Sequence, residues 1–226
     1  MKKLQEMEII KEHFSMIMIG KRRSGKSTLI RELFINKLKN RYDHVIVFSD
    51  TAREEKGFWG EFIPGDLMFP YDPIRLDMAF KLNEIRASKN KPMISFLFIW
   101  DDCVSEKQKS DNSIMQAFTR GRHSGISIIF TTQSKALVNK KWRENSDYVC
   151  LFRDNNIKNR EDLIDDFLLG TIPSQLSTNF SDSSEKYDEM TKKMRIDFYN
   201  ELFSSLEKGK FIFVNDIKSE CRVIEY

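Results

Sequence analysis

The chain has 226 residues, 40% hydrophobic and 31% charged, with 37 basic against 34 acidic side chains and a formal charge of +3. That length buries one full α/β core and leaves a second complete domain cramped, so residues 1–226 are expected to form a single domain. The near balance of charge permits nucleic-acid binding without arguing for it, and any such surface must be a local patch or be assembled from several subunits.

Residues 1–13 form a charged lead-in with apolar Leu4, Met7, Ile9 and Ile10, a short helix or an edge strand covering the sheet. Phe14-Ser15-Met16-Ile17-Met18-Ile19 reads as a buried strand, and Thr28 to Lys39 spaces Leu29, Leu33, Phe34 and Leu38 along one helical face. Between them, Gly20-Lys21-Arg22-Arg23-Ser24-Gly25-Lys26-Ser27 fits G-x-x-x-x-G-K-[ST] without a mismatch, which makes it a P-loop in its proper context. Gly20 and Gly25 let the backbone curl so that successive N–H groups, backed by a helix N-terminus, face nucleotide phosphate oxygens. Lys26 is expected to reach the β- and γ-phosphates, Ser27 to place its hydroxyl on Mg²⁺, and Thr28 to contact the α-phosphate. Lys21, Arg22 and Arg23 add charge at the loop apex, near the γ-phosphate, against a neighbouring subunit or in water.

Val45 to Phe48 is a second buried strand. Residues 51–73 are irregular and aromatic, with Phe58, Trp59, Phe62, Phe69 and Tyr71, and covering the end of the sheet is favoured over contact with DNA or a neighbour. Ile74 to Ala87 has a helical rhythm. Ile94 to Trp100 is the most continuous apolar run, a central strand buried on both faces, and it ends in Asp101-Asp102. A short helix from Asp111 carries Ile114, Met115 and Phe118 and leads into Arg120-Gly121-Arg122-His123-Ser124-Gly125. Ile126 to Phe130 is a fourth strand closing on Thr131-Thr132-Gln133, and Tyr148 to Phe152 a fifth. Residues 153–161 read as a polar loop, 162–169 as a short helix, 173–184 as a Ser-rich connector and about 185–207 as a last helix. Phe211 to Val214 and Cys221 to Ile224 make a terminal hairpin.

Strands alternating with helices imply a mostly parallel sheet whose ligands bind at the carboxyl ends of the strands. Gly20, Asp101 and Gln133 each follow such an end. Phe96 to Asp102 has the form of a Walker B segment, in which Asp101 holds Mg²⁺ and Asp102 orients and activates the attacking water. Gln133 is placed to hydrogen-bond the γ-phosphate and that water. Arg120 and Arg122 are candidates for an arginine finger acting on the next subunit, or equally for a DNA phosphate or a carboxylate partner. Lys135, Lys140, Lys141 and Arg143 could face a pore, though a solvated helix face is favoured.

Cys103, Cys150 and Cys221, odd in number and without C-x-x-C pairing, suggest neither a disulfide framework nor a zinc knuckle. No apolar stretch approaches the roughly 18 residues of a membrane span. Glu6, Glu8, Lys11 and Glu12 break the segment where a signal peptide would be apolar, so a cytosolic protein is expected.

With these motifs in order, the chain resembles the genome-packaging ATPases of the nucleocytoplasmic large DNA viruses and their virophages, within the FtsK/HerA branch of P-loop motors. The resemblance rests on Gly20 to Ser27, on Phe98-Ile99-Trp100-Asp101-Asp102 and, most specifically, on Arg120 to Gln133. It implies an ASCE-type, RecA/FtsK-like P-loop NTPase with a motor core over about residues 10–152 and a helical and hairpin extension over about 153–226. It further implies ATP and Mg²⁺ as cofactors and ATP hydrolysis coupled to movement of double-stranded DNA into a preformed capsid. The implied partners are a homo-oligomeric ring, pentamer or hexamer, and capsid vertex proteins; the implied place is the virus factory in the host cytoplasm, or the virion. Asp102 stands where many FtsK/HerA relatives carry glutamate. A P-loop nucleotide or nucleoside kinase and a nucleotide-gated assembly protein are the competing readings.

Overall fold

A computed structural model of the chain describes residues 4, 7, 9, 11–50, 56–63, 67–103, 105, 111–173 and 190–226. Among these, nine strands form one sheet in the order β3-β2-β4-β5-β1-β6-β8-β9-β7. β1 (Ser15–Ile19), β2 (His44–Phe48), β4 (Phe96–Trp100), β5 (Ile126–Thr132) and β6 (Tyr148–Phe152) are the parallel centre. β3 (Met68–Phe69) adds a short parallel edge. β8 (Lys210–Asn215) and β9 (Glu220–Glu225) form the expected hairpin, which is not a separate appendage: β8 pairs antiparallel with β6 and continues the sheet. β7 (Ile172–Pro173) pairs with β9.

β1, β4, β5 and β6 are buried on both faces, as continuous apolar runs in a parallel sheet must be, whereas β2 is buried only at its Val47-Phe48 end. One face packs against α1 (Lys26–Leu33) and the aromatic segment around α2 (Lys56–Trp59), through Leu29, Ile30, Leu33, Trp59 and Ile63. The other packs against α3 (Pro73–Ser88), α4 (Asn112–Arg120), α5 (Lys140–Glu144), α6 (Ile157–Phe167) and α7 (Lys192–Ser205), through Leu76, Phe80, Ile114, Phe118, Trp142, Ile164 and Phe203. The rings of 51–73 cover the sheet, as favoured: Phe58 and Phe62 pack on the α1 side, Phe69 and Tyr71 on the α3 side.

Several boundaries differ from expectation. The helix expected over 28–39 ends as an α-helix at Leu33 and widens over Phe34–Leu38 into a π-turn, with Lys39 N donating to Phe34 O at 2.7 Å. Part of the stretch expected as a loop over 153–161 is helical, because Asn156 caps Asn159 N at 3.0 Å and starts α6 five residues earlier than its apolar spacing suggests. That first turn is held by its cap rather than by burial, and Ile157 is exposed. In the lead-in, Leu4 and Met7 are buried against the α1 face, while most of its other residues, the connector after Pro173 and the start of the last expected helix lie outside the described residues.

Candidate active site

Register sets the site. β1 lies between β5 and β6, and Gly20 N donates to Thr132 O at 3.1 Å, so the phosphate loop begins beside the end of β5 where Gln133 follows. Trp100 is paired with Phe130, which puts Asp101 beside Thr131. Three chain segments thus meet at the carboxyl edge of the sheet around a cleft of about 960 Å³, lined by Arg22 to Thr28, Asp50, Asp101, Asp102, Gln133, Lys208, Gly209 and Tyr226.

Gly25 sits at φ 101°, and a Cβ there would run into the Tyr226 hydroxyl, so this position demands glycine on two counts. Lys26 is buried, its Nζ donating to Gly20 O at 2.8 Å and Lys21 O at 3.3 Å, with Asp102 Oδ2 at 3.2 Å. Ser27 Oγ donates to Asp101 at 3.1 Å. A serine hydroxyl facing a buried carboxylate is a hard-oxygen donor pair, and it fits Mg²⁺. Burial pushes the Asp101 carboxyl up to about 6, against the pull of the Thr131 hydroxyl; the adjacent Asp102 adds to the rise and Ser27 opposes it.

Asp102 occupies the left-handed region at φ 50°, an uncommon conformation for aspartate. It is held there by Thr131, whose Oγ1 accepts from Asp102 N at 3.0 Å while donating to Asp101 Oδ1 at 3.0 Å. Gln133 Nε2 reaches Asp102 Oδ2 at 3.4 Å. Lys26, Ser27, Asp101, Asp102 and Gln133 are therefore brought together. Arg22 and Arg23 line the same cleft, Thr28 at its rim is exposed, and Lys21 pairs with Asp154 at 2.9 Å.

Arg120 and Arg122 are not brought to this cleft. Both precede β5 and so lie at the opposite edge of the sheet from Gln133, which follows it. Arg120 rests over the Phe80 ring and faces Gln116 and Glu84. Arg122 bonds the buried Asp147, which also accepts from Ser15 N at 2.8 Å and Lys11 Nζ at 2.6 Å. The turn that follows them is a structural joint: Gly125 at φ 71° leaves no room for a Cβ against Ile94 O, and Asn83 Nδ2 donates to Ile94 O and Ser124 O. Lys135 and Arg143 are held by Asp166 at 2.7 and 3.1 Å rather than lying free as a basic row.

Sequence reasoning missed Thr131, Asp154 and Tyr226. Alternation along β5 puts Thr131 on the side of Gln133, which was a usable signal. Tyr226, 202 residues from its partner Ser24, had none.

The poxvirus A32 protein family matches residues 1–168. The chain belongs to that family. Among curated relatives of this A32 family member, uncharacterized protein 088R of invertebrate iridescent virus 3 is 33% identical over 177 residues, covering 77% of this chain and 64% of that one. DNA packaging protein OPG160 of vaccinia virus is 27% identical over 156 residues, covering 67% and 57%. The chain thus spans roughly half to two thirds of the length of these relatives. Among solved structures, the genome packaging NTPase B204 of Sulfolobus turreted icosahedral virus 2, in complex with ATP-gammaS, superposes with a TM-score of 0.61 at 17% identity, covering 96% of this chain and 98% of that one. At that identity the likeness is one of fold, and it makes the A32 family chain a mixed α/β protein of P-loop architecture. Among its described residues no helix is long and apolar enough to cross a membrane.

Proposed function

We propose that the chain is an ATP-hydrolysing motor that drives double-stranded viral DNA into a preformed capsid, acting as a homo-oligomeric ring docked on capsid vertex proteins. The observation that carries the reading is the cluster of Lys26, Asp101, Asp102, Thr131 and Gln133 at one strand edge, in which Asp102 and Gln133 form a water-directed pair that a nucleotide kinase does not need. Membership of a family whose vaccinia relative is named a DNA packaging protein supports the substrate.

Lys26 faces two carbonyls and the Asp102 carboxylate. A γ-phosphate drawing the ammonium to itself leaves Asp102 free to accept a proton from water, and Gln133, already within reach of that carboxylate, orients the water. Gly20 to Thr28 bind the phosphates through backbone N–H groups and hydroxyls. Ser27 and Asp101 would hold Mg²⁺, whose chemistry there is to offset phosphate charge.

For the ring, α3 offers support: Ile74, Met78, Leu82 and Ile85 lie exposed along one side while Leu76, Ala79 and Phe80 are buried on the other. A helix apolar on both sides lacks a partner for one of them. A second copy is the fitting occupant, because the layer ends at α3 on one edge of the sheet and at α6 and α7, with exposed Ile157 and Met194, on the other. Two different surfaces on opposite edges are what a closed head-to-tail ring requires. An arginine acting in trans belongs to the same proposal, and Arg120 is the better candidate because it and its ionic partner Glu84 are both exposed, whereas Arg122 is held by the buried Asp147.

The test is ATP hydrolysis measured against added double-stranded DNA over a range of protein concentrations. A ring motor gives DNA stimulation with steep concentration dependence; phosphate transfer to nucleosides, or a rate indifferent to DNA and concentration, refutes it.

A further inference from the structure

The nucleotide cleft has an end that the hydrolytic residues do not use. Asp101, Asp102 and Gln133 lie on the β4 and β5 side of the phosphate loop, so a bound triphosphate turns its γ end that way. Its nucleoside must then extend across the loop toward β6, β8 and β9. There the cleft is walled by Lys208, Gly209 and Tyr226.

Tyr226 is firmly placed. Its N donates to Gly209 O at 3.0 Å, and its ring meets Phe211 at 5.9 Å and the edge of Phe152 at 6.5 Å. Its hydroxyl donates to Ser24 O at 3.4 Å and fills the space above Gly25. Burial raises the phenol to about 12, so it stays a neutral donor at ordinary pH. A fixed aromatic ring that both lines the cleft and touches the phosphate loop is a platform for a planar base.

We propose that Tyr226, with Lys208 and Gly209 beside it, forms the nucleoside subsite of this cleft, its ring stacking on the base of the bound nucleotide. The inference rests on the proposed nucleotide site and adds its specificity. Stacking offers a face and no edge-reading groups, so the subsite prefers the larger purines over pyrimidines and separates adenine from guanine only weakly.

The experiment compares equilibrium binding of ATP, CTP and inorganic tripolyphosphate to the wild type, Tyr226→Phe, Tyr226→Leu and Tyr226→Ala, each checked for an unaltered melting transition. Leucine keeps an apolar cover over Phe152 and Phe211 while removing the aromatic face. The expected result is that Leu and Ala weaken ATP about tenfold, as loss of one stacked base does, leave tripolyphosphate unchanged and erase the preference over CTP, while Phe binds as wild type. Equal loss of ATP and tripolyphosphate would make Tyr226 a support of the loop only, and no loss of either would remove it from the site; both outcomes overturn the subsite and leave the nucleotide site standing. A wild type that binds neither ATP nor tripolyphosphate would overturn the nucleotide site itself, and the subsite with it.

Discussion

Replacing Thr131 by valine keeps the shape of a buried side chain and removes one hydroxyl that does two things. It donates to Asp101 and accepts from the N–H of Asp102, each at 3.0 Å. A hydrogen bond to a carboxylate is worth about 1.5–3 kcal/mol, and an orphaned buried N–H costs about 1 kcal/mol more, so the folded state should lose roughly 2–4 kcal/mol. For a chain of this length that is a fall in Tm of roughly 5–15 °C. The larger effect should be on turnover, because Asp102 would lose the bond that holds its left-handed backbone; a misplaced base lowers kcat on the order of 10- to 100-fold. Without Mg²⁺ the pH dependence should change as well. The Asp101 carboxyl sits at about 6 in the folded chain against 3.8 unfolded, so its contribution favours folding at low pH and is lost as pH rises through 6. Losing the Thr131 bond raises that value further and moves the window upward. Differential scanning calorimetry across pH, with a steady-state ATPase assay at saturating nucleotide, measures both effects. If Thr131→Val melts with the wild type and hydrolyses ATP at the same rate, the hydroxyl is not what holds the carboxylate pair.

Other substitutions separate the roles. Lys26→Ala should abolish turnover and weaken ATP binding, whereas Asp102→Asn should retain binding and lose turnover; normal hydrolysis by the second protein would remove Asp102 from the mechanism. Gly25→Ala should cost nucleotide binding and roughly 1–3 kcal/mol of stability in chemical denaturation, because alanine neither adopts φ 101° readily nor fits beneath the Tyr226 hydroxyl. Asp147→Ala should destabilise the fold by about 2–4 kcal/mol, since it strips the partner from Lys11, Arg122 and the Ser15 N–H; unchanged nucleotide affinity in the folded fraction checks that the damage stays at the far edge. If Arg120 acts in trans, Arg120→Ala should regain activity on mixing with Asp102→Asn subunits, and no recovery at any ratio rules it out.

Much of this was legible in the residues. The apolar runs of β1, β4, β5 and β6 give their positions directly, because a parallel strand buried on both faces needs an unbroken apolar stretch. The P-loop and the Asp101-Asp102 pair follow from them. What failed to show is of another kind. The start of α6 depends on an asparagine cap with almost no apolar spacing behind it. The bond between Arg122 and Asp147 joins groups 25 residues apart whose meeting is decided by register, so the same arginine reads equally well as a finger. Tyr226 reaches the loop only because the terminal hairpin joins the main sheet, which periodicity within the hairpin does not disclose.

The clamp around Asp147 bears on how such a molecule can move. It knots the beginnings of β1 and β6 to the segment entering β5, all at the edge away from the nucleotide. The parallel strands β1, β5 and β6 are thus fastened at their bases like blades in one handle, and two of them, β1 and β5, deliver residues to the cleft. A movement that begins at bound phosphates is therefore expected in the residues after Ile19 and Thr132, which lead into the phosphate loop and Gln133, rather than at the clamped bases.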